Sequence, residues 1–289
     1  MARRTGADTI EELQVHRDFG LRCRLCHPYV RRMLRTGETK FDQIITESES
    51  FMGRILYIFP HPDDESFGPA PVMARHRREG HEVFLLTLTR GEATSQRDRL
   101  GISKEEMADV RYREMQSVAR ILDLTDMTVL DLPDGELEQL DPLGLEKIVR
   151  EKIDEVRPDV VATYMTHGVS GHPDHLVTHA VVKHVYSEIR RAGATYARRL
   201  ALFTLSDENQ EGRPSHLRGT PNEEIDCIAS FTEADLERGK SALAAYETYH
   251  EVIDEHKPLE TVSKGVCFVF FGERFQPPLD DLFADLRSF

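Results

Sequence analysis

The feature that most constrains this chain is an alternation that begins at residue 54. Five apolar runs of strand length recur: RILYIF (54–59), EVFLLTLT (82–89), MTVLDL (127–132), DVVATY (159–164) and LALFTL (200–205). Between them lie stretches of helical spacing. The first covers 66–79 and is stopped by Gly80; the second covers 104–122, with Met107, Val110, Met115, Val118 and Ile121/Leu122 on one face. The third, 143–156, ends at Arg157-Pro158, and the fourth, 173–191, has Gly193 just past it. Strands and helices alternating at this pitch predict an α/β fold: a Rossmann-like, mostly parallel sheet with helices on both faces. After residue 206 the alternation fails. A polar loop (206–223) leads to a predicted helix over 233–249 and an apolar strand over 265–271, expected to complete the same domain with an edge strand. Residues 1–50 read as an N-terminal extension of mixed charge, and residues 51–289 as one domain.

Bulk properties exclude some classes of function. With 51 acidic against 37 basic residues the formal charge is −14, a surface that repels phosphate backbones and anionic lipid, so no nucleic-acid partner is expected. No apolar run approaches the roughly 20 residues needed to span a bilayer. The basic start, MARRTG, has no hydrophobic segment behind it, so a cytoplasmic location is the expectation. A homo-oligomer is left open. Four cysteines do not make a disulfide framework in a chain of 289 residues. Cys23, Cys26 and His27 match the short haem-attachment pattern C-x-x-C-H, a spacing met often by chance; structural cysteines are the simpler reading.

Ligands of open α/β sheets bind outside the carboxyl ends of the strands. Here those ends read HPDDE (61–65), TRGE (89–92), DLPDG (131–135) and THGVSGHPDH (166–175), all polar and rich in titratable groups. The first strand–helix turn carries no G-x-G-x-x-G, and the sequence has no P-loop and no G-x-S-x-G nucleophile elbow. What remains is His and Asp, the ligand types of a catalytic zinc with three protein ligands and one open position. Neighbouring residues of an extended stretch point apart, so Asp63 and Asp64 are expected to differ in task. A turn stiffened by Pro62 brings His61 and Asp64 to one metal while Asp63 faces water. In the second motif Gly171 permits a turn, Pro173 suits the first helical position, and His172 and His175 lie one turn apart on one side. His175 is then a third ligand and His172 sits beside the open position; His179, four residues on, is either a rival ligand or a packing residue. Glu65 is expected to orient a ligand from behind. The set His₂Asp suits Zn²⁺ and also Fe²⁺.

These residues closely resemble the LmbE-like family, also called the PIG-L or N-acetylglucosaminyl-phosphatidylinositol de-N-acetylase family. The family pattern is an apolar strand, then (A/P)HPDDE, then a later HPDH or HxDH, present here as FPHPDDE (59–65) and GHPDH (171–175). LTLTRGE (86–92), RYREMQSVARILDL (111–124) and LDLPDG (130–135) look like its intervening segments, and the resemblance spans about residues 53–250. It implies an LmbE-like deacetylase domain over 51–289 and a zinc-dependent hydrolase removing an N-acetyl group from an N-acetylglucosamine (GlcNAc)-containing small molecule. By position it implies His61, Asp64 and His175 as metal ligands and Asp63 as general base. His172 would stabilise the oxyanion or protonate the leaving amine, and Arg111 and Asp134 would contact the sugar-like substrate. Ser170 stands where some members carry a Tyr, and residues 1–50 have no counterpart in the short family core. The alternatives are an amidase of a sugar–thiol conjugate cut at the same amide, or a non-catalytic sugar- or metal-binding protein of the same fold.

Overall fold

The computed structural model describes residues 51–208, 214–262 and 264–286. The N-terminal extension and the Cys23–Cys26–His27 cluster lie outside them.

Strands β1 (Arg54–Phe59), β2 (Glu82–Thr89), β3 (Asp126–Leu132), β4 (Val160–Tyr164) and β5 (Arg199–Ser206) are mutually parallel in the order β3-β2-β1-β4-β5. Strands β1, β2, β4 and β5 are nearly continuous apolar runs because both of their faces are covered, whereas β3, at the edge, is only partly buried. The helices are α1 (Ala70–Arg78), α2 (Gln96–Leu100), α3 (Lys104–Leu122), α4 (Pro142–Val156), α5 (Pro173–Arg191), α6 (Glu233–Ala244) and α7 (His250–His256). The side-chain alternation of β1 shows both cores. Ile55, Tyr57 and Phe59 pack with Met73 of α1, Val118 of α3 and Leu243 of α6. Leu56 and Ile58 pack on the opposite face with Val149 of α4 and Val182 of α5. The helix ends follow local chemistry: Ser103 and Glu106 close a capping box on α3, and Asp141 caps α4 before Pro142.

Three elements depart from expectation. The first helix begins at Ala70 rather than Ser66. The amides of Ser66 and Phe67 are turned back onto the Asp63 carbonyl (2.7 and 2.9 Å), and Pro69 sets the cap. The run 233–249 is broken after Ala244, with a 3-10 turn at Glu247–Tyr249 before α7. There the Thr248 amide and hydroxyl donate to the Glu114 carboxylate of α3, both at 2.8 Å, a tertiary partner replacing the helical one. Strand β8 (Val266–Phe270) is interior: it pairs antiparallel with β5 and with β7 (Cys227–Ala229), which forms the edge. Three residues are too few to show a two-residue alternation, so β7 is invisible to periodicity. The pair Gly219–Thr220 (β6) adds to β5 off this path. Among the described residues no helix is long and apolar enough to cross a membrane.

Candidate metal centre

The strand order turns at β1, which has β2 on one side and β4 on the other. The crevice beyond the β1 and β4 carboxyl ends is where such sheets bind ligands. From β1 the chain enters a turn carrying His61, Asp63 and Asp64. From β4 it passes through a loop to α5, where His172 is the N-cap: its Nδ1 accepts the Asp174 amide at 3.2 Å, with Pro173 in the first helical position. The structure thereby brings together residues 114 positions apart, with His61 Nδ1 3.2 Å from His175 Nε2. Asp64 joins both, Oδ2 lying 3.6 Å from His61 Nδ1 and Oδ1 lying 3.4 Å from His175 Nε2. His172 also has a donor atom within 4.8 Å of those of His61 and His175.

Hydrogen bonds on the far side of each ring fix what faces inward. His175 Nδ1 donates to the Gly168 carbonyl at 2.9 Å, leaving the Nε2 lone pair toward His61. His61 Nε2 donates to Asp174 Oδ2 and Asp134 Oδ1, each at 3.2 Å, leaving Nδ1 toward His175. Two ring lone pairs and a carboxylate that face each other at 3.2–3.6 Å repel unless a cation lies among them. Tetrahedral donors about 2.0–2.1 Å from a metal are themselves about 3.3 Å apart. The donor set therefore fits a metal ion. Without one, a proton serves: burial would lower the pKa of His61, but its hydrogen bonds to Asp134 and Asp174 and the charge of Asp64 outweigh this and raise it to about 10. Burial keeps His175 low, hence neutral and ligand-ready. Asp64 is further held by the Tyr164 hydroxyl, which donates to Oδ1 at 2.6 Å, and by the His61 amide at 2.8 Å.

Asp63 points elsewhere. Its φ of +89° is rare for a non-glycine residue, and this twist separates its side chain from that of Asp64. Asp63 Oδ2 accepts from Arg111 Nη2 at 2.6 Å, and the same nitrogen donates to the Pro62 carbonyl at 2.7 Å. Burial raises the Asp63 pKa, Arg111 pulls it down and Asp64 and Glu65 push it up, to a net value of about 7. Arg111 is buried and lies over the Tyr249 ring at 4.1 Å. Gly91 makes room for it: its φ is +67° and a Cβ there would stand 2.6 Å from Arg111 Nη1.

The other expected residues distribute as follows. Arg111 and Asp134 both line the site, but Arg111 is engaged by Asp63, and Asp134 lies against His61 while accepting the Ala93 amide at 2.7 Å. Glu65 is fully buried, and its Oε1 accepts from the Ser66 and Tyr246 hydroxyls (2.6 and 2.7 Å), which ties it to the C-terminal segment. His179 is turned away, its Nδ1 on the Tyr164 carbonyl at 2.8 Å, which makes it a packing residue. Ser170 sits 3.4 Å from His175 Nδ1. Burial and the nearby His61 charge lower the His172 pKa; its Nδ1 is an acceptor, so its proton resides on Nε2. Sequence reasoning missed Asp174 and Tyr164. Asp174, fully buried, also accepts the Gly135 and Leu137 amides (2.8 and 3.1 Å) and so ties the β3 end to α5. Its signal was present, since a carboxylate beside a ligand His is the usual partner of such rings. A cavity of about 400 Å³ opens beside the cluster.

The profile of the PIG-L family, described as GlcNAc-PI de-N-acetylase, matches residues 56–186. That segment contains both paired motifs at the strand ends, and over it the chain is similar to the PIG-L/LmbE-like family. It is 33% identical over 153 residues to 1D-myo-inositol 2-acetamido-2-deoxy-alpha-D-glucopyranoside deacetylase of Kineococcus radiotolerans, covering 44% of this chain and 42% of that protein. It is 36% identical over 135 residues to the probable N-acetyl-alpha-D-glucosaminyl L-malate deacetylase 2 of Bacillus subtilis, covering 46% and 60%. The chain thus spans about half the length of these curated relatives. The N,N'-diacetylchitobiose deacetylase of Pyrococcus horikoshii shares the fold, with a TM-score of 0.57 over 92% of this chain and 94% of that one at 18% identity.

Proposed function

We propose that the domain spanning residues 51–289 is a metal-dependent N-deacetylase, hydrolysing the acetamide of a GlcNAc-containing small molecule. The observation that carries this is the inward-facing donor set His61, Asp64 and His175 at 3.2–3.6 Å, with Asp63 lining the same cavity and bonded to Arg111. Zn²⁺ suits two imidazoles and a carboxylate, and Fe²⁺ also fits. When bound, such an ion supplies a Lewis acid that polarises the amide carbonyl and acidifies water. The protein's own groups do the rest. Asp63, near neutrality in pKa and aligned by Arg111, takes the proton of the attacking water. His172, neutral with its proton on Nε2, donates a hydrogen bond to the oxygen on which negative charge develops, and Asp63 hands the proton it took from water to the departing amine. Asp134 and Asp174 hold the His61 ring so that Nδ1 faces inward. The relatives' names support an acetylated glucosamine as the substrate core.

Asp63→Ala tests the assignment. Acetate release from GlcNAc conjugates is expected to fall at least ~100-fold, while elemental analysis still finds one metal per chain. Undiminished turnover in the variant, or metal lost along with activity, would overturn the role given to Asp63.

A further inference from the structure

Resting on that reading, we propose that the group attached to the sugar is apolar, an aromatic or alkyl aglycone rather than a polyol or a dicarboxylate. The metal donors occupy one part of the cavity. Much of the remainder is walled by Phe67, Val169, Phe203, Leu205, Leu217 and Val252.

Two of these side chains are fixed there by the backbone around them. Phe203, buried, packs against Tyr164 and Phe268 with ring centroids 5.9 and 6.0 Å apart. Gly68 lies against it, where a Cβ would come within 2.3 Å of the ring. Val169 has φ +58°, a left-handed conformation that a β-branched residue rarely adopts. Such strain persists only where the surroundings impose it, and it gathers at ligand clamps. Here the Arg218 amide donates to the Val169 carbonyl at 2.7 Å, and Gly168 is pressed so closely on His175 that a Cβ would lie 2.9 Å from its Cβ. The loop that orients the His175 ring therefore also holds Val169 at the cavity wall.

Charge complementarity points the same way. Among the described lining residues Arg111 is the one guanidinium and there is no lysine. Arg111 is committed to Asp63 and the Pro62 carbonyl. Among the described lining residues away from the metal donors, a dicarboxylate aglycone would lose its hydration and meet His216 and His256 but no lysine or unengaged arginine. A polyol would find few partners on this wall, where the hydroxyls Thr94, Thr261 and Ser170 each already share a contact with Tyr249, the Pro258 carbonyl and His175. An aryl or alkyl group loses nothing at this wall and gains burial.

Binding and turnover are to be measured separately on the metal-loaded full chain. Calorimetry with methyl, phenyl and octyl glucosides, which carry no acetamide, reads the subsite alone. Phenyl or octyl glucoside is expected to bind at least tenfold more tightly than methyl glucoside; Leu217→Ser should erase most of that gain and Leu217→Met should keep it. Equal affinity for the three glucosides would overturn the proposal. Acetate release is then compared for GlcNAc carrying phenyl, octyl, malyl or inositol aglycones. A tenfold higher kcat/KM for the phenyl or octyl conjugate is expected, and a malyl or inositol conjugate turned over as well or better would also overturn it. Tight octyl binding with no acetate released from any conjugate would sink the deacetylase reading and leave the apolar subsite standing.

Discussion

The Tyr164 ring stacks on His175 with centroids 4.2 Å apart, while its hydroxyl donates to Asp64 at 2.6 Å. One side chain thus fixes two donors from opposite ends of the cluster. Tyr164→Phe keeps the stack and removes the hydrogen bond. Metal affinity, measured by competition with a chelator, is expected to fall about 10–100-fold with little change in the far-ultraviolet spectrum; unaltered affinity would show that Asp64 needs no such support. At this scale the sequence was readable in part. HPDDE and HPDH gave the residue types and the pairing, because only certain side chains can hold a metal at a strand end. What each ring's second nitrogen meets depends on the β3 loop, whose path no spacing rule describes. Asp134, expected against the sugar, lines the cavity and also stands 3.2 Å from His61 Nε2, a contact that no spacing announces.

Among the elements, α1 is tied to the C-terminal segment by Asp281. Asp281 Oδ2 lies 3.1 Å from His76 Nε2 and 3.2 Å from Arg75 Nη2. Burial would raise the Asp281 pKa, but His76, the Phe283 amide and Arg75 outweigh it and hold it down to about 2. Because the folded-state pKa is depressed, the linked stability is fully present above the ordinary carboxylate range and is lost as pH falls through about 2. Asp281→Asn should lower Tm at pH 6, and the gap to the wild type should narrow steadily between pH 4 and pH 2. A gap independent of pH would mean that the carboxylate charge contributes nothing. Element boundaries were legible where periodicity is strong, as in β1, β2, α3 and α5. They were not where tertiary partners decide: Glu114 breaks the helix after Ala244 by bonding Thr248, and β7 is specified by its neighbour β8 rather than by its own three residues.

For the molecule as a whole, the candidate metal site draws together the ends of β1, β3 and β4 and the start of α5, so binding of an ion there should stabilise the entire domain. At a free metal concentration 100 times Kd the folded state gains about 2.7 kcal/mol, worth roughly 5–10 °C in Tm for a domain of this size. Stripping the metal with a chelator should lower Tm by that amount in the wild type and in Asp63→Ala, and should leave Tm unchanged in His61→Ala. A wild-type Tm indifferent to chelation would contradict the site. The separation of the two histidines along the chain has one more consequence. His61 and His175 meet across 114 residues of intervening chain, and β1 cannot pair with β4 until the segments between them are out of the way. Contacts of such long range close late in folding and slowly. Capture of the ion would therefore mark the end of folding, and a chain still on its way to the native state would hold no preformed cage for stray divalent ions.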